Sequence, residues 1–270
     1  MIPSPALHGR TAHYRLPYRI VGGLVWSAVA LRSRSFARDA QMAMASAYPA
    51  PQVLGSEHIP PRGPCLVTCN HYSRPGLGAW WTALAIAAAV AAHRAPDAGP
   101  EIHWVMTAGW TFPESPWRHR MLTPLTRWAF ARAAHVYGFV TMPPMPPDPR
   151  EVEQRAIAVL RTVRLAHRAA LEGRLVGLAP EGRDFPGTLG QPPEGAGEFI
   201  ALLVQAGLPV LPVGVSEPEG RLCVSFGPLF VPDIPPERTR RDRAVSRQVM
   251  AAIALQLPGT LAKVADPSQG

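Results

Sequence analysis

The segment LVTCNHYSRPG, residues 66–76, runs from an apolar stretch into a polar turn that contains proline and glycine. Its apolar part is typical of a strand, and glycine and proline bound it on both sides. A second apolar run, LVGLAP at residues 175–180, is followed directly by Glu181. In open parallel sheets, ligands bind outside the carboxyl ends of the strands. His71 and Glu181 are therefore predicted to project into one crevice.

Strand-like runs alternate with helical patterns along most of the chain. This alternation predicts a layered α/β fold with a largely parallel or mixed sheet flanked by helices. Residues 1–50 are predicted to form an N-terminal helical segment, a candidate membrane-interfacial element. Residues 51–270 are predicted to form one α/β domain.

Three helical patterns give more specific expectations. Residues 151–174 and 237–257 each have the apolar spacing of an amphipathic helix. The buried faces are predicted to be Val152, Ala156, Leu160 and Val163 in the first helix, and Val245, Val249 and Ile253 in the second. The helical pattern after residue 115 is predicted to be broken by Pro116 and Pro124, because proline lacks the backbone N–H.

The 270 residues carry a formal net charge of +8, and Lys263 is the only lysine. A strongly basic chain favours an anionic partner, such as a membrane surface or a phosphorylated substrate. The alternative is a general preference for arginine that says nothing about partners. No basic stripe interleaved with aromatic residues occurs, so a nucleic-acid partner is not expected.

The cysteines are Cys65, Cys69 and Cys223, an odd and small number that is typical of a reducing compartment. Cys65, Cys69 and His71 resemble a metal-ligand cluster on paper. On an extended strand, however, four residues span about 13 Å, which is too far for two ligands of one zinc ion. We therefore expect no metal site.

An apolar run at residues 20–31 has arginines on both sides. It is shorter than the roughly 20 residues that a spanning helix needs, and it fits an interfacial helix with basic ends. The alternative is a helix that packs on the domain. All seven tryptophans lie between Trp26 and Trp128. Four of them are candidates for a tunnel that holds an apolar chain, for a membrane interface or for ordinary core packing: Trp80, Trp81, Trp104 and Trp110.

Four segments in order resemble the sequence blocks of the glycerolipid acyltransferase family, which includes bacterial lysophosphatidate acyltransferase. They are LVTCNHYSRPG, YGFVTMPP at residues 137–144, LAPEGRD at 178–184 and PVLPVGV at 209–215. The resemblance implies transfer of a fatty acyl group from acyl-CoA or acyl carrier protein to a hydroxyl of a lysophospholipid, glycerol phosphate or related lipid. It implies no cofactor beyond that co-substrate, and a cytoplasmic location at the inner membrane face. His71 would be the general base.

The chain departs from the family pattern at several positions. The family carries an aspartate five residues after the histidine, where this chain has Gly76. Met142 and Pro143 stand where the second block has an arginine. Arg183 comes one place earlier than the family arginine.

Seven residues are candidates for the functional site. The catalytic candidates are His71 and Glu181, and the substrate-binding candidates are Asn70, Arg74, Gly182 and Arg183. The candidate substitutes for the missing carboxylate are Asp184 and Glu181, because they lie on the loop nearest the strand ends. From the residues alone, Asn70 can equally hold the turn, Arg74 can be a solvated surface residue, and Glu181 can cap its own loop. Gly182 is predicted to have a positive φ or a close backbone approach.

Three interpretations remain open on the sequence. The chain is an active acyltransferase with a substitute carboxylate, an acyltransferase for an acceptor without phosphate, or a catalytically inactive member that binds lipid or acyl chains.

Overall fold

The computed structural model describes residues 14–112, 115–143, 151–183 and 189–259. The strands of this part are β1 (Gln52–Leu54), β2 (Cys65–Cys69), β3 (Ile102–Thr107), β4 (Val140–Met142), β5 (Leu175–Leu178), β6 (Val210–Ser216) and β7 (Cys223–Phe226). The helices are α1 (Tyr18–Ala30), α2 (Phe36–Ala45), α3 (Trp80–His93), α4 (Pro116–Tyr137), α5 (Val152–Glu172), α6 (Ala196–Gln205) and α7 (Arg238–Ala254).

The strands form one sheet in the order β1-β7-β6-β2-β5-β3-β4. From β6 to β4 all neighbours are parallel, whereas β7 runs antiparallel to β6 and parallel to β1. This mixed, largely parallel sheet with N-terminal helices confirms the predicted fold class. The five parallel strands direct their carboxyl ends to one border of the sheet, called here the C-terminal edge.

Helices cover both faces of the sheet, and the central strand β2 is buried along its whole length. On one face, Cys65, Val67 and Cys69 share an apolar core with α2 and α3. On the other, Leu66 packs in a core formed with α5, α6 and α7. Burial on both faces explains why β2 is a continuous apolar run rather than an alternating one.

A buried carboxylate joins the N-terminal helices to α4. Asp39 in α2 pairs with Arg34 and accepts a hydrogen bond from the Tyr137 hydroxyl at 2.8 Å. Burial, reinforced by this hydrogen bond, raises the pKa of Tyr137. Helix α2 also packs on α3, and α1 contacts α4. No helix among the described residues combines the length and the apolar character needed to cross a bilayer.

Helix α4 is continuous from Pro116 to Tyr137, so the predicted interruption at its prolines is wrong. Pro116 lies in the first turn, where backbone N–H groups have no helical partner in any case. Pro124 lies inside the helix on an exposed side. Water can there bond the carbonyl of Arg120, which the proline ring leaves without a helical donor.

Helix α5 turns a different face to the sheet from the predicted one. Its buried residues are Ala158, Thr162, Ala166 and Ala169. Val152 and Leu160, which the spacing placed on the buried face, are exposed. The predicted face is therefore wrong at Val152, Ala156 and Leu160, whereas Val163 is partly buried against the core. The small side chains of the buried face let the helix approach the sheet closely.

Helix α7 buries Val245, Val249 and Ile253, which confirms its predicted face. It packs closely against the beginning of α6. The Asp242 carboxylate accepts hydrogen bonds from the backbone N–H groups of Gly195, at 3.0 Å, and Gly197, at 2.7 Å. One acidic side chain of α7 therefore caps the neighbouring helix.

Close contact between α6 and α7 predicts that Gly197→Ala is destabilising. A Cβ at this position would lie 2.0 Å from the backbone oxygen of Asp242. Because the backbone of α7 must shift, we expect the free energy of unfolding to fall by about 1–3 kcal/mol. Urea unfolding followed by circular dichroism measures the change.

The matched control is Gly22→Ala in α1, where nothing lies within 4 Å of the added Cβ. Alanine is the better helix former, so this control is expected to leave stability unchanged or raise it by up to about 1 kcal/mol. Equal stability of the Gly197→Ala protein and the parent would contradict the close packing of α6 on α7.

Candidate functional site

The first side chain beyond β2, Asn70, fastens the end of this strand to β6. It is buried, and its side-chain amide donates to the Val215 carbonyl at 2.9 Å and accepts from the Val215 N–H at 2.7 Å. With these two bonds, the Asn70 side chain extends the hydrogen bonding between β2 and β6 beyond the end of β2. Asn70 thus holds the turn in this structure, and its role in substrate binding stays a prediction.

His71 and Glu181 meet at the C-terminal edge, as the strand endings predict. Their strands, β2 and β5, are parallel neighbours. The Glu181 carboxylate is only 2% exposed, and it accepts hydrogen bonds from the backbone N–H groups of His71 and Gly190. The His71 ring is half-buried, and its Nδ1 is shielded from solvent. Glu181 therefore positions the backbone that carries the imidazole.

The loop after Glu181 begins with the glycine that the sequence singled out. Gly182 has φ of +66°, a conformation that favours glycine, which confirms the predicted backbone requirement. Arg183 follows it and is exposed at the same edge as His71. Asp184, the candidate substitute carboxylate, lies outside the described residues.

Arg74 is held by an acidic residue that sequence reasoning missed. Its guanidinium forms a two-pronged ion pair with Glu217, which directly follows β6. The Tyr72 hydroxyl donates to the same carboxylate at 3.2 Å. Burial, together with the Glu217 charge, raises the pKa of Tyr72 to about 12. The rule that located His71 and Glu181, a polar residue at the end of an apolar strand, would also have located Glu217.

The loop closes in a tight turn at residues 74–77. The Arg74 N–H bonds the Leu77 carbonyl at 3.0 Å, and the Leu77 N–H bonds the Arg74 carbonyl at 2.9 Å. Pro75 and Gly76 occupy the two central positions, and Gly76 has φ of +84°. Proline followed by a glycine with positive φ is the pattern of a type II turn. Gly76 is thus a turn glycine.

The four tryptophans considered for lipid contact divide into two pairs. Trp81 and Trp104 are buried in the core, and Trp81 packs on Tyr14 with ring centres 5.3 Å apart. Trp80 and Trp110 are more than half exposed. Ordinary core packing therefore accounts for the first pair, and only the second pair is open to a lipid or a partner.

The cysteines are free and buried, and burial makes their thiols poor nucleophiles. It raises the pKa of Cys65 to about 12. It also raises the pKa of Cys69, with a smaller contribution from the Glu181 charge. In the described ranges, no group of three or more His, Cys, Asp or Glu residues is placed to hold a metal ion.

A scan against models of known protein families finds no match, and a search of curated proteins finds none either. Among solved structures, the chain is similar to the 1-acyl-sn-glycerophosphate (LPA) acyltransferase PlsC from Thermotoga maritima. The two share 16% sequence identity with a TM-score of 0.44, over 86% of this chain and 87% of that chain. Likeness at this level does not establish function, so the assignment below depends on the site itself.

The anchoring of the loop predicts that Glu217→Gln is destabilising. The Glu217 side chain is almost fully buried, and the change leaves the partly buried Arg74 without its counter-charge. We expect the free energy of unfolding to fall by about 1–3 kcal/mol. Thermal unfolding measures this loss.

Glu219→Gln is the matched control, since Glu219 is exposed two residues further along. It is expected to change stability by less than about 0.5 kcal/mol. Equal effects of the two substitutions would mean that the Arg74–Glu217 pair does not hold the loop.

Proposed function

We propose that the chain is an O-acyltransferase that moves a fatty acyl group from an acyl thioester to the hydroxyl of a lipid acceptor. The observation that supports it most is the hydrogen bond between the His71 backbone and Glu181. It joins the first and third family-like blocks on adjacent parallel strands. Shared strand ends of this kind are where α/β folds bind their ligands.

In the proposed reaction, His71 accepts the proton of the acceptor hydroxyl while the oxygen attacks the thioester carbonyl. A carbon–oxygen bond forms and the carbon–sulfur bond breaks. The proton then passes from the imidazolium to the departing thiolate, which leaves as free thiol. Glu181 and Asn70 support this step by fixing the backbone on either side of the imidazole, and no cofactor is needed beyond the thioester.

The proposed acceptor is a lysophospholipid, glycerol phosphate or related lipid, and the donor is acyl-CoA or acyl carrier protein. Arg183 is the proposed anion contact, because it is exposed at the edge where His71 lies. A guanidinium can grip a phosphate with two parallel hydrogen bonds. Arg74 is a weaker choice, because its guanidinium already engages Glu217.

The proposed site of action is the membrane surface, at the cytoplasmic face of the inner membrane. A lysophospholipid acceptor would lie in the membrane, and the segment around α1 is apolar with basic ends, the composition of an interfacial helix.

A catalytically inactive protein that binds lipid or acyl chains is the second candidate. It is favoured by Gly76, because a turn glycine stands where the family carboxylate would orient the histidine. In the best-studied catalytic triad, loss of that carboxylate costs about 10⁴-fold in rate.

Replacement of the proposed base distinguishes the two candidates. Purified protein is incubated with acyl-CoA or acyl carrier protein donors and a panel of lysolipids, glycerol phosphate and simple alcohols, and the released thiol is measured. His71→Ala is expected to lower acceptor-dependent release by about 10²–10⁴-fold, the usual contribution of a general base.

His167→Ala is the control, since His167 is exposed on α5. This variant is expected to keep the parent rate. Equal rates for His71→Ala and the parent would refute the role of His71. Absence of turnover by the parent with every acceptor, combined with binding of a fluorescent acyl probe, would support the inactive protein instead.

Restoring the family carboxylate is expected to fail. Gly76→Asp places a side chain at φ of +84°, which disfavours L-residues by about 1–2 kcal/mol. We expect a lower melting temperature and no gain in thiol release. Gly63→Asp is the matched control for strain, since Gly63 has φ of +87° and nothing lies within 4 Å of an added Cβ there. A Gly76→Asp protein that is faster than the parent would show that the turn tolerates a working carboxylate.

A further inference from the structure

Helix α4 turns a stripe of large apolar side chains toward solvent. Trp117, Met121, Leu125 and Trp128 recur at intervals of four, four and three residues, and each is between 53% and 69% exposed. This spacing puts them on one side of the helix. In a globular domain such a stripe normally faces the core. Here it has no covering element among the described residues.

Helix α1 carries a second exposed stripe. Tyr18, Val21, Val25 and Val29 recur at intervals of three, four and four residues, and each is at least 45% exposed. The two helices contact each other, and the Arg34 N–H after α1 bonds the Val136 carbonyl near the end of α4 at 2.9 Å. We call the two stripes, together with the exposed Trp26 of α1, the α1–α4 face.

The surroundings of the α1–α4 face are basic. Residues 15–38 and 115–147 contain no aspartate or glutamate. Exposed arginines stand around the stripes at Arg15, Arg19, Arg32, Arg118 and Arg120. Two carboxylates that reach this region, Asp39 and Glu151, are buried and paired with arginines. Apolar and aromatic side chains bordered by arginine suit the interface of an anionic bilayer.

A second copy of the chain is a poorer occupant of the same face. In a two-fold dimer the same patch faces itself. Here that symmetry would bring arginines against arginines, with no carboxylate in either segment to pair with them. Anionic lipid headgroups provide the missing countercharge, and the acyl region beneath them accepts the tryptophans.

The α1–α4 face is connected to the C-terminal edge through β3. This strand ends at Thr107, and the chain then passes Trp110 before α4 begins. In the sheet order, β3 lies two positions from β2, a distance of about 10 Å. Trp110 is exposed and packs edge-on against Phe130 of α4, with ring centres 5.0 Å apart. The part of α4 around Phe130, next to Trp128 of the exposed stripe, therefore lies beside the end of β3, at the edge of the sheet that carries His71.

We propose that the α1–α4 face docks on an anionic lipid bilayer and holds the His71 edge of the sheet beside that surface. The docking step depends only on exposed apolar area and charge. Delivery of a bilayer lipid to His71 rests, in addition, on the proposed acyltransferase function.

Two double variants of the full chain test the docking step by vesicle flotation. Vesicles of phosphatidylcholine alone are compared with vesicles that also contain phosphatidylglycerol. Parent protein is expected to float with the anionic vesicles and to be released as salt rises. Trp117→Ala/Trp128→Ala and Arg118→Glu/Arg120→Glu are each expected to weaken this binding by about 10-fold or more.

The matched controls lie on α5, which packs on the opposite face of the sheet from α3. Leu171→Ala removes an exposed apolar residue, and Arg164→Glu/Arg168→Glu reverses two exposed charges. Both are expected to bind within about 2-fold of the parent, because neither touches the proposed surface. Melting temperatures of all variants are expected to match the parent, since the substituted side chains are exposed.

Several results would overturn the docking proposal. The first is parent protein that stays unbound with anionic vesicles, and the second is α1–α4 variants that bind like the parent. The third is a parent dimer, seen in sedimentation equilibrium, that dissociates in the Trp117→Ala/Trp128→Ala variant.

Thiol release is measured separately with a bilayer-embedded and a water-soluble acceptor. Delivery of a bilayer lipid to His71 is supported if the docking variants release thiol more slowly with the bilayer-embedded acceptor and at the parent rate with the water-soluble acceptor. No release by the parent with either acceptor would refute the acyltransferase function, while flotation still decides the docking.

Discussion

The hydrogen bonds of the buried Glu181 carboxylate determine how the C-terminal edge is built. A carboxylate removed from water loses a large hydration energy, which only charge-assisted hydrogen bonds or a counter-charge can offset. The backbone N–H groups of His71 and Gly190 supply two such bonds. They belong to two loops, the one after β2 and the one that leads into α6. The distance between these segments is therefore set by one side chain at the end of β5.

The loop after β2 is held from both neighbouring strands. On the β5 side it is fastened through Glu181, and on the β6 side through the Asn70 amide and the Glu217 carboxylate. These contacts link residues separated by 110 to 145 positions in sequence. Local patterns place His71 and Glu181 at strand ends, and the parallel order of β2 and β5 then brings them together. The partners of Arg74 and Asn70 depend on which strand lies beside β2, and the spacing of residues does not reveal that.

Helix faces were predictable where large apolar residues are buried and not where small ones are. In α7 the large apolar residues are the buried ones, namely Val245, Val249, Met250 and Ile253. In α5 the closest approach to the sheet is made by alanines, so a pattern read from the larger residues indicates the wrong face. In α4, too, several large apolar residues are exposed, namely Trp117, Met121, Leu125 and Trp128. Whether a helix side chain is buried depends on how closely the helix packs on its neighbours. The spacing of apolar residues along one helix does not reveal that distance.

Gly76 is a structural residue of the loop after β2. A side chain at this position would have to adopt the conformation with positive φ that the turn at residues 74–77 imposes. A carboxylate at residue 76 would therefore work against the turn that fixes this loop. This chain has the turn, and it adds the ion pair between Arg74 and Glu217 and the hydroxyl of Tyr72 as a second anchor. The position of His71 is consequently set through its backbone and by contacts from β5 and β6, rather than by an acidic side chain five residues further along its own loop.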